Sequence, residues 1–292
     1  MANLKEVRTR IASVSSTQQI TSAMKMVSAA KFRRAQIAIL GMRPYANMLN
    51  EIIGDIDVED GVQTAYHEVR QPNNVLLVVI TSNKGLCGAF NSNVLKQASA
   101  RKLYYEKQGC SQLKMFTIGK RGTEFFSKQE GLVVQSCDEI LDNPSFDAIS
   151  AVGEQLMTAF CNKEYDCIEV IYNQFKNSLT QILSTEQFLP VKPDPKGHKG
   201  NAAKTRNDYI YEPSKEAILK EMIPLTLRSQ FYRMVLDSLA AEHGARMTAM
   251  QKATDNATEL LKELRLSYNK ARQAAITNEI IEIVSGSEAL KG

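Results

Sequence analysis

The sequence predicts an α/β protein: long N- and C-terminal helices form an antiparallel coiled coil, and a central α/β domain contains a mostly parallel sheet. Two patterns support this prediction. Near both ends, apolar and small residues recur every three or four positions, which is typical of paired helices. The middle of the chain instead alternates short β-branched runs with helical segments, as in a sheet covered by helices on both faces.

The N-terminal coiled-coil helix is expected within residues 1–54, with helical periodicity from about residue 3 to about residue 53. Gly41 and Pro44 mark a bend or break inside it, because proline lacks the amide hydrogen that an interior turn requires. The seam of this helix is the row of side chains that would face the partner helix. It begins at Leu4, Val7, Ile11 and Val14 and continues through Gln18, Thr21 and Lys25.

The C-terminal coiled-coil helix is expected over residues 213–288 and should pair with the first helix. Pro224 is expected to interrupt or restart it. The roughly 60 residues from Leu225 to Val284 contain no proline and would form a rod of about 90 Å. The seam of this helix consists of Met250, Thr254, Ala257, Leu261, Leu264, Tyr268, Ala271 and Ala275.

The central domain is expected over residues 73–190, with a Rossmann-like arrangement of parallel strands joined by right-handed crossovers. Strands are predicted at 75–81, 113–118, 132–135, 167–172 and 179–188, and helices at 91–107, 120–128 and 148–162. Residues 191–212 are rich in Pro, Lys, Gly, Asn and Asp and are expected to form a flexible loop.

Composition and charge exclude several classes of protein. With 43% hydrophobic and 23% charged residues, the chain does not have the composition of a disordered protein. It contains no run of 18 apolar residues and no apolar signal-peptide core, so we expect a cytoplasmic location without a transmembrane segment. Residues 1–50 carry eight basic groups and one acid, a net charge of +7. Such a helix is either a solvated surface or one that attracts an acidic partner, nucleic acid or anionic lipid.

No enzyme active site is evident in the sequence. Gly85 and Gly88 follow the first central strand, where a doubly wound fold binds ligands, but they lack the glycine spacing of phosphate-binding loops. A tight strand-to-helix turn explains them equally well. The histidines have no Cys, Asp or Glu at metal-ligand spacing. We therefore expect no catalytic, cofactor-binding or metal-binding residues, and we interpret Cys161 and Cys167 as structural residues that act as small buried hydrophobes.

Polar and small residues interrupt the seams of both helices. TQQITSAMKMVSAAKFRRAQ in the first helix would face ARMTAMQKATDNA in the second. Polar seam positions are consistent with a coiled coil in which they set the register. They are also consistent with a rod that turns inside a sleeve of other subunits.

Segments at both ends and in the middle of the chain resemble the gamma subunit of F-type ATP synthase. They are RIASVSSTQQITSAMKMVSAAKFRRAQ, RPYA at 43–46, GLCG at 85–88, YIYEP at 209–213, ARMTAMQKATDNA and YNKARQAAITNEIIEIVSG. The resemblance covers nearly the whole chain, and ITNEIIEIVSG is its most specific segment.

This resemblance implies the rotor of the central stalk of a proton-transporting ATP synthase. In the family, the coiled coil enters a hexamer of alpha and beta subunits, and the α/β domain contacts the epsilon subunit and the membrane c-ring. Rotation driven by proton flow changes the nucleotide affinities of the catalytic beta subunits, so this chain would not itself be catalytic. The implied location is peripheral, on the cytoplasmic face of the bacterial plasma (inner) membrane.

The resemblance also implies which residues contact the alpha and beta subunits. Arg246 and the pair Arg272 and Gln273 match family residues that meet acidic loops, to which the guanidinium fork is suited. The other implied contact residues are Met24 and Lys25, near an acidic lever of the beta subunits, and Thr277, Glu279 and Glu282.

The chain departs from the family pattern at three places. Glu288 lies where relatives have small apolar residues and an apolar bearing contact is expected, and Gly244 replaces another small residue. Cys161 and Cys167 are spaced like the two cysteines of the thiol-regulated insertion in plastid relatives, but they lie upstream of that insertion. We therefore expect no redox regulation.

Two other classes of function remain open without the resemblance. A coiled-coil scaffold with a basic arm would bind nucleic acid in a salt-dependent manner. A nucleotide-binding enzyme would bind ATP as an isolated chain.

Overall fold

The computed structural model describes residues 4–60, 65–128, 131–177, 180–191 and 215–289. The chain forms two compact units. One consists of Met1–Ser28 and Arg246–Gly292, and the other is Ala29–Ala245. The predicted flexible loop at 191–212 lies, apart from residue 191, outside the described residues.

Two long helices begin and end the described chain. Helix α1 spans Leu4–Asp60 and helix α5 spans Lys215–Ala289, so the first helix ends later than the predicted residue 54. A break at Pro44 and an interruption at Pro224 are wrong, because α1 continues through Pro44 and α5 through Pro224. The alternative of a bend at Gly41 and Pro44 stays a prediction. An interior proline costs about 3 kcal/mol. Buried side chains beyond Pro44, at Ala46 and Leu49, and beside Pro224 offset that cost.

A five-stranded sheet forms the centre of the second unit. Its strands are β1 (Asn74–Ile80), β2 (Gln112–Ile118), β3 (Val133–Ser136), β4 (Cys167–Phe175) and β5 (Gln181–Leu189). Their order is β3-β2-β1-β4-β5, and every neighbouring pair is parallel except β4 and β5. The predicted mostly parallel sheet is confirmed.

Three further α-helices follow the strands in the predicted order. They are α2 (Phe90–Lys107), α3 (Lys120–Phe126) and α4 (Phe146–Cys161). Helix α4 begins where the Ser145 hydroxyl accepts a hydrogen bond from the Ala148 amide at 3.2 Å, which satisfies a donor that the first turn leaves free.

The sheet buries apolar side chains on both faces, so β1 is buried along VLLVVI, from Val75 to Ile80. On one face, strand residues such as Val78 and Ile168 form a cluster with residues of α4 and α5, including Phe160 and Phe231. On the other face, alternate residues pack with α2 and α3 side chains, including Val94, Ala98 and Phe126.

A buried ion pair joins α2 to the sheet. Arg101 donates from Nε to Glu169 Oε2 at 2.9 Å and also pairs with Glu169 through its NH2 group. The Tyr105 hydroxyl donates to Glu169 Oε1 at 2.8 Å. Because Glu169 is only 5% exposed, these donors compensate for the water that its carboxylate loses on folding. Burial, and after it the neighbouring Cys167 and Glu169, raise the pKa of Tyr105 above its ordinary value near 10.

We predict that Tyr105→Phe makes stability less dependent on alkaline pH. Below about pH 10, Tyr105 is protonated in both the folded and the unfolded chain, and its contribution to the free energy of unfolding is fully present. Above that pH, the unfolded chain releases the proton and the folded chain retains it, so the free energy of unfolding falls by up to about 1.4 kcal/mol per pH unit. Urea unfolding between pH 9 and 11.5 should show a shallower fall in the variant. Equal slopes would contradict this assignment.

Candidate partner-binding surface of the helical pair

In the first unit, α1 and α5 pack through the predicted seams. All seven α1 seam positions from Leu4 to Lys25 are buried or half-buried, and so are the α5 positions from Met250 to Ala271. The least exposed of these are Val7, Met250, Ala257 and Leu261. Ala275, the last predicted seam residue, is exposed, so the seam prediction is wrong at that position.

Three hydrogen bonds between the helices define their antiparallel register. Gln18 Nε2 donates to Thr258 Oγ1 at 2.7 Å, Thr254 Oγ1 to Thr21 Oγ1 at 2.9 Å, and Lys25 Nζ to Gln251 Oε1 at 2.8 Å. In each pair the two residue numbers add up to 275 or 276. In this register Leu4, the first described residue of α1, lies opposite about residue 272. Thr21 and Thr254 thus pair across the seam, whereas Gln18 and Lys25 bond to Thr258 and Gln251 beside it.

The register explains why Ala275 is exposed. From position 273 onward, α5 extends past the described start of α1, and at 1.5 Å per residue the segment up to residue 288 is about 24 Å long. We call residues 273–288 the overhang. All of its side chains are exposed among the residues that the structure describes.

The overhang carries large apolar side chains as well as polar ones. Its exposed aliphatic residues are Ile276, Ile280, Ile281, Ile283 and Val284, which are 49–71% exposed. At 100° per residue, these five positions fall within an arc of about 160° on one side of the helix. An exposed apolar face of this kind marks an interaction site. The overhang is therefore suited to pack against a partner.

The contact residues implied by the resemblance occupy two environments. On the paired segment, Met24 and Lys25 are half-buried in the seam, and Lys25 already donates to Gln251. Arg246 is buried, with 8% of its surface exposed. The remaining residues, Arg272, Gln273, Thr277, Glu279 and Glu282, are exposed at the start of the overhang or within it.

Sequence reasoning selected the polar residues of the overhang and missed its aliphatic ones. Thr277 illustrates the difference, because its hydroxyl donates to its own helix at Gln273 O, 2.9 Å away. The signal that identifies the aliphatic residues is the run ITNEIIEIVSG. Its Ile276, Ile280 and Ile283 keep a spacing of four and three beyond the predicted seam, and Ile281 and Val284 widen that apolar face.

The glycine-containing turn after β1 is filled by the chain's own groups. Ser82 donates from Oγ to Lys84 O at 2.7 Å, and the Ser82 amide donates to Asn91 Oδ1 at 3.0 Å. Gly88 has a φ of 61°, a left-handed conformation that suits glycine, whereas the Arg121 guanidinium lies against Gly85. These glycines therefore serve a tight turn.

No described group of three or more His, Cys, Asp or Glu side chains is arranged to hold a metal ion. Likewise, none of the described helices has a stretch long and apolar enough to cross a membrane.

The cysteines of interest lie at the two ends of a helix-to-strand connection. Cys161 is the last residue of α4 and is exposed, whereas Cys167 is the first residue of β4 and is buried. The Cys167 sulfur lies 3.7 Å from the Tyr105 hydroxyl in the core. The interpretation of both thiols as buried hydrophobes is wrong for Cys161, because the end of α4 faces solvent there.

The chain is similar to ATP synthase proteins along its whole length. A family profile described as ATP synthase matches residues 3–290. The ATP synthase gamma chain of Flavobacterium johnsoniae is 54% identical over 100% of both chains. That of Cytophaga hutchinsonii is 51% identical over 99% of both.

Solved structures share the fold. A chain from the central stalk and c-ring of the Tetrahymena thermophila mitochondrial ATP synthase is 27% identical, with a TM-score of 0.59 over 80% of this chain and 99% of that one. A chain from the Euglena gracilis mitochondrial ATP synthase in rotational state 3 has a TM-score of 0.70 at 21% identity, over 98% of this chain and 94% of that one.

We predict that Leu261→Ala lowers the free energy of unfolding of the helical pair by about 2–5 kcal/mol, because it leaves a cavity in the seam. Leu266→Ala is the matched control. Leu266 is 57% exposed on the same helix, so its replacement should change stability by less than about 0.5 kcal/mol. Urea unfolding followed by circular dichroism measures both. Equal losses would show that the seam does not carry the stability.

We also predict that oxidation of Cys161 and Cys167 does not regulate turnover. A bridge between them would have to reach the buried Cys167, which requires the connection after α4 to unwind. ATPase rates of the assembled complex should be equal after oxidising and reducing treatment. A rate difference that disappears in Cys161→Ser would contradict the prediction.

Proposed function

The chain belongs to the gamma-chain family of ATP synthase, and on this basis we propose that it turns as the rotor of the central stalk in an F-type enzyme. It is a non-catalytic subunit. In the proposed cycle, proton flow through the membrane ring rotates the stalk. The rotating surface then drives the catalytic beta subunits through states of different nucleotide affinity during ATP synthesis or hydrolysis.

The observation that best supports the rotor is the overhang of α5. A rotor that turns inside a ring of subunits needs an end that the ring surrounds without forming permanent bonds. Exposed aliphatic side chains such as Ile280 and Ile283 provide such a surface, because apolar contact is non-directional and requires no fixed bonding partner.

The exposed polar residues at the start of the overhang would provide contacts that form only at certain rotation angles of the chain. We propose that Arg272 and Gln273 pair with an acidic loop of an alpha or beta subunit, with Thr277, Glu279 and Glu282 nearby. Exposed ion pairs contribute about 0.2–1 kcal/mol each, so they can form and break at each step.

The proposed contacts of the paired segment, through Met24, Lys25 and Arg246, differ in kind. Lys25 would have to exchange its bond to Gln251 for a partner carboxylate. Because Arg246 is 92% buried within this chain, it would reach a partner only with the remaining exposed part of its side chain. We therefore propose that these residues contribute less to binding than Arg272.

The proposed partners are the alpha and beta subunits around the helical pair, and the epsilon subunit and c-ring on the second unit. The proposed location is peripheral, at the cytoplasmic face of the bacterial plasma (inner) membrane. This location is consistent with the bacterial sources of the gamma-chain relatives. No observation favours the alternative of a coiled-coil scaffold with a nucleic-acid-binding arm.

Rotation in a purified complex tests the function directly. Alpha and beta subunits are immobilised on a surface, and a gold rod is attached to the chain through the exposed Cys161. Addition of ATP should rotate the rod in one direction in steps. A chain that binds alpha and beta subunits but does not turn during ATP hydrolysis would contradict the proposed function.

We predict that the double variant Arg272→Ala and Gln273→Ala lowers coupled ATP synthesis by about two- to fivefold, as expected for the loss of an exposed ion pair. Arg265→Ala, which removes the same charge within the paired segment, is the control and should have a smaller effect. Circular dichroism should show that the double variant is folded. Unchanged synthesis would exclude Arg272 and Gln273 as important contacts.

A further inference from the structure

The outward side of helix α2, in the second unit, combines lysines with exposed apolar side chains. At about 100° per residue, five exposed positions of this helix fall within an arc of about 100°. The buried residues of the helix, such as Ala98 and Tyr105, lie on the opposite side and pack against the sheet. We call the five exposed residues the α2 outer face; they are Lys96, Ala100, Leu103, Tyr104 and Lys107.

The two large side chains of the α2 outer face are exposed, and one of them is held in place. Leu103 is 57% exposed and Tyr104 is 45% exposed. The Arg101 guanidinium lies 4.6 Å from the centre of the Tyr104 ring, a cation–π contact. Gln108 Nε2 donates to the Tyr104 hydroxyl at 2.7 Å. The helix therefore presents an ordered, partly apolar strip to solvent.

The lysines of the α2 outer face are available to a ligand. Lys96 and Lys107 form no ion pair with any acid that the structure describes, and the arc that contains them includes no Asp or Glu. The nearby acids are paired locally: Glu106 with Lys102 at 3.7 Å, and Glu124 of α3 with its neighbour Arg121 at 2.9 Å. The α2 outer face is therefore cationic as well as apolar.

The two faces of the sheet are covered by helices of opposite charge. Residues 90–107 and 119–128, which contain α2 and α3, carry seven basic groups and two acids. Residues 142–166, which contain α4, carry five acids and one basic group. Helices α2 and α3 pack on one face of the sheet and α4 on the other. An anionic surface therefore attracts the α2 side of the domain and repels the α4 side.

We propose that the α2 outer face binds the anionic lipid surface of the membrane. Lys96 and Lys107 pair with lipid phosphates, and Leu103 and Tyr104 enter the boundary between the headgroups and the acyl chains. A fluid lipid surface offers the same contact at every rotation angle of the chain. The inference rests on the proposed function, because the proposed peripheral location brings the chain to the membrane.

The combination of side chains favours a lipid surface over other anionic partners. A nucleic acid would pair with Lys96 and Lys107 but would leave Leu103 without an apolar environment. An anionic bilayer provides phosphates and an apolar layer directly beneath them. It also requires no matching groove, which suits the convex side of a single helix.

Fluorescence quenching in the reconstituted enzyme tests the proposal. A fluorescent amino acid replaces Ala100, and the assembled enzyme is inserted into vesicles whose lipid headgroups carry a quencher. The vesicles contain phosphatidylcholine alone or equal amounts of phosphatidylcholine and phosphatidylglycerol. The matched control carries the same amino acid at Ala151, an exposed alanine of α4. We expect the emission at residue 100 to fall at least about twofold in the anionic vesicles, and the emission at residue 151 to stay unchanged.

The contrary outcomes are distinct. An unquenched signal at residue 100, as expected if another subunit covers α2, would overturn the proposal. Equal quenching at residues 100 and 151, or at residue 100 in both kinds of vesicle, would overturn it as well. Failure of the proposed function is recognised earlier, because the chain would then not assemble with alpha and beta subunits before reconstitution.

Charge variants test the lysines separately. We measure binding to the anionic vesicles for the complex of the chain with alpha and beta subunits, prepared without the membrane ring. Lys96→Gln combined with Lys107→Gln should weaken binding about 10- to 30-fold, whereas Arg at both positions should retain it.

The control for these variants removes the same charge elsewhere in the second unit. It combines Lys163→Gln, after α4, with Lys220→Gln in α5, both at exposed positions. Binding should then change less than about threefold. Equal losses in the two double Gln variants would show a general effect of net charge and would overturn the assignment to α2.

Discussion

Burial of the seam between α1 and α5 is the interaction on which the rest of the proposed mechanism depends. In the unit formed by Met1–Ser28 and Arg246–Gly292 the two helices pack on each other, and most of the stability of a helix in a protein comes from packing of its apolar face. Residues such as Val7 and Leu261 supply the apolar burial, and the bond between Thr21 and Thr254 pairs polar groups that would otherwise lose water at the seam. Together they produce a defined pair of helices.

The register of that pair creates the candidate site. Because Leu4 lies opposite about residue 272, the remainder of α5 has no partner within the described chain, and its isoleucines stay exposed. The same helix thus changes from a paired segment to an exposed, partly apolar segment over a few residues. The paired segment and the candidate binding end belong to one continuous helix without a linker, so a torque applied to one would be transmitted directly to the other.

The periodicity of apolar residues predicted which helices and strands form better than it predicted where they begin and end. The run VLLVVI identified β1, and the spacing of Leu4, Val7 and Ile11 identified the seam, because side-chain burial repeats with the geometry of each element. The sequence predicted a helix past Pro44 but left a bend or a break open there, since the local propensity of proline opposes the helix and burial of residues such as Leu49 supports it. The overhang was not predictable from periodicity either. Ala275 continues the seam pattern, and its exposure depends on where a helix more than 200 residues away begins.

The central claim is that other subunits enclose the overhang in the assembled enzyme. The most direct measurement is the rate at which a thiol reagent labels Ile283→Cys, with the native Cys161 replaced by Ser. Ile283 is 71% exposed, so the isolated chain should react rapidly. We predict that labelling is at least about tenfold slower in the complex, as expected for a buried apolar contact. Equal rates in the isolated chain and the complex would contradict it.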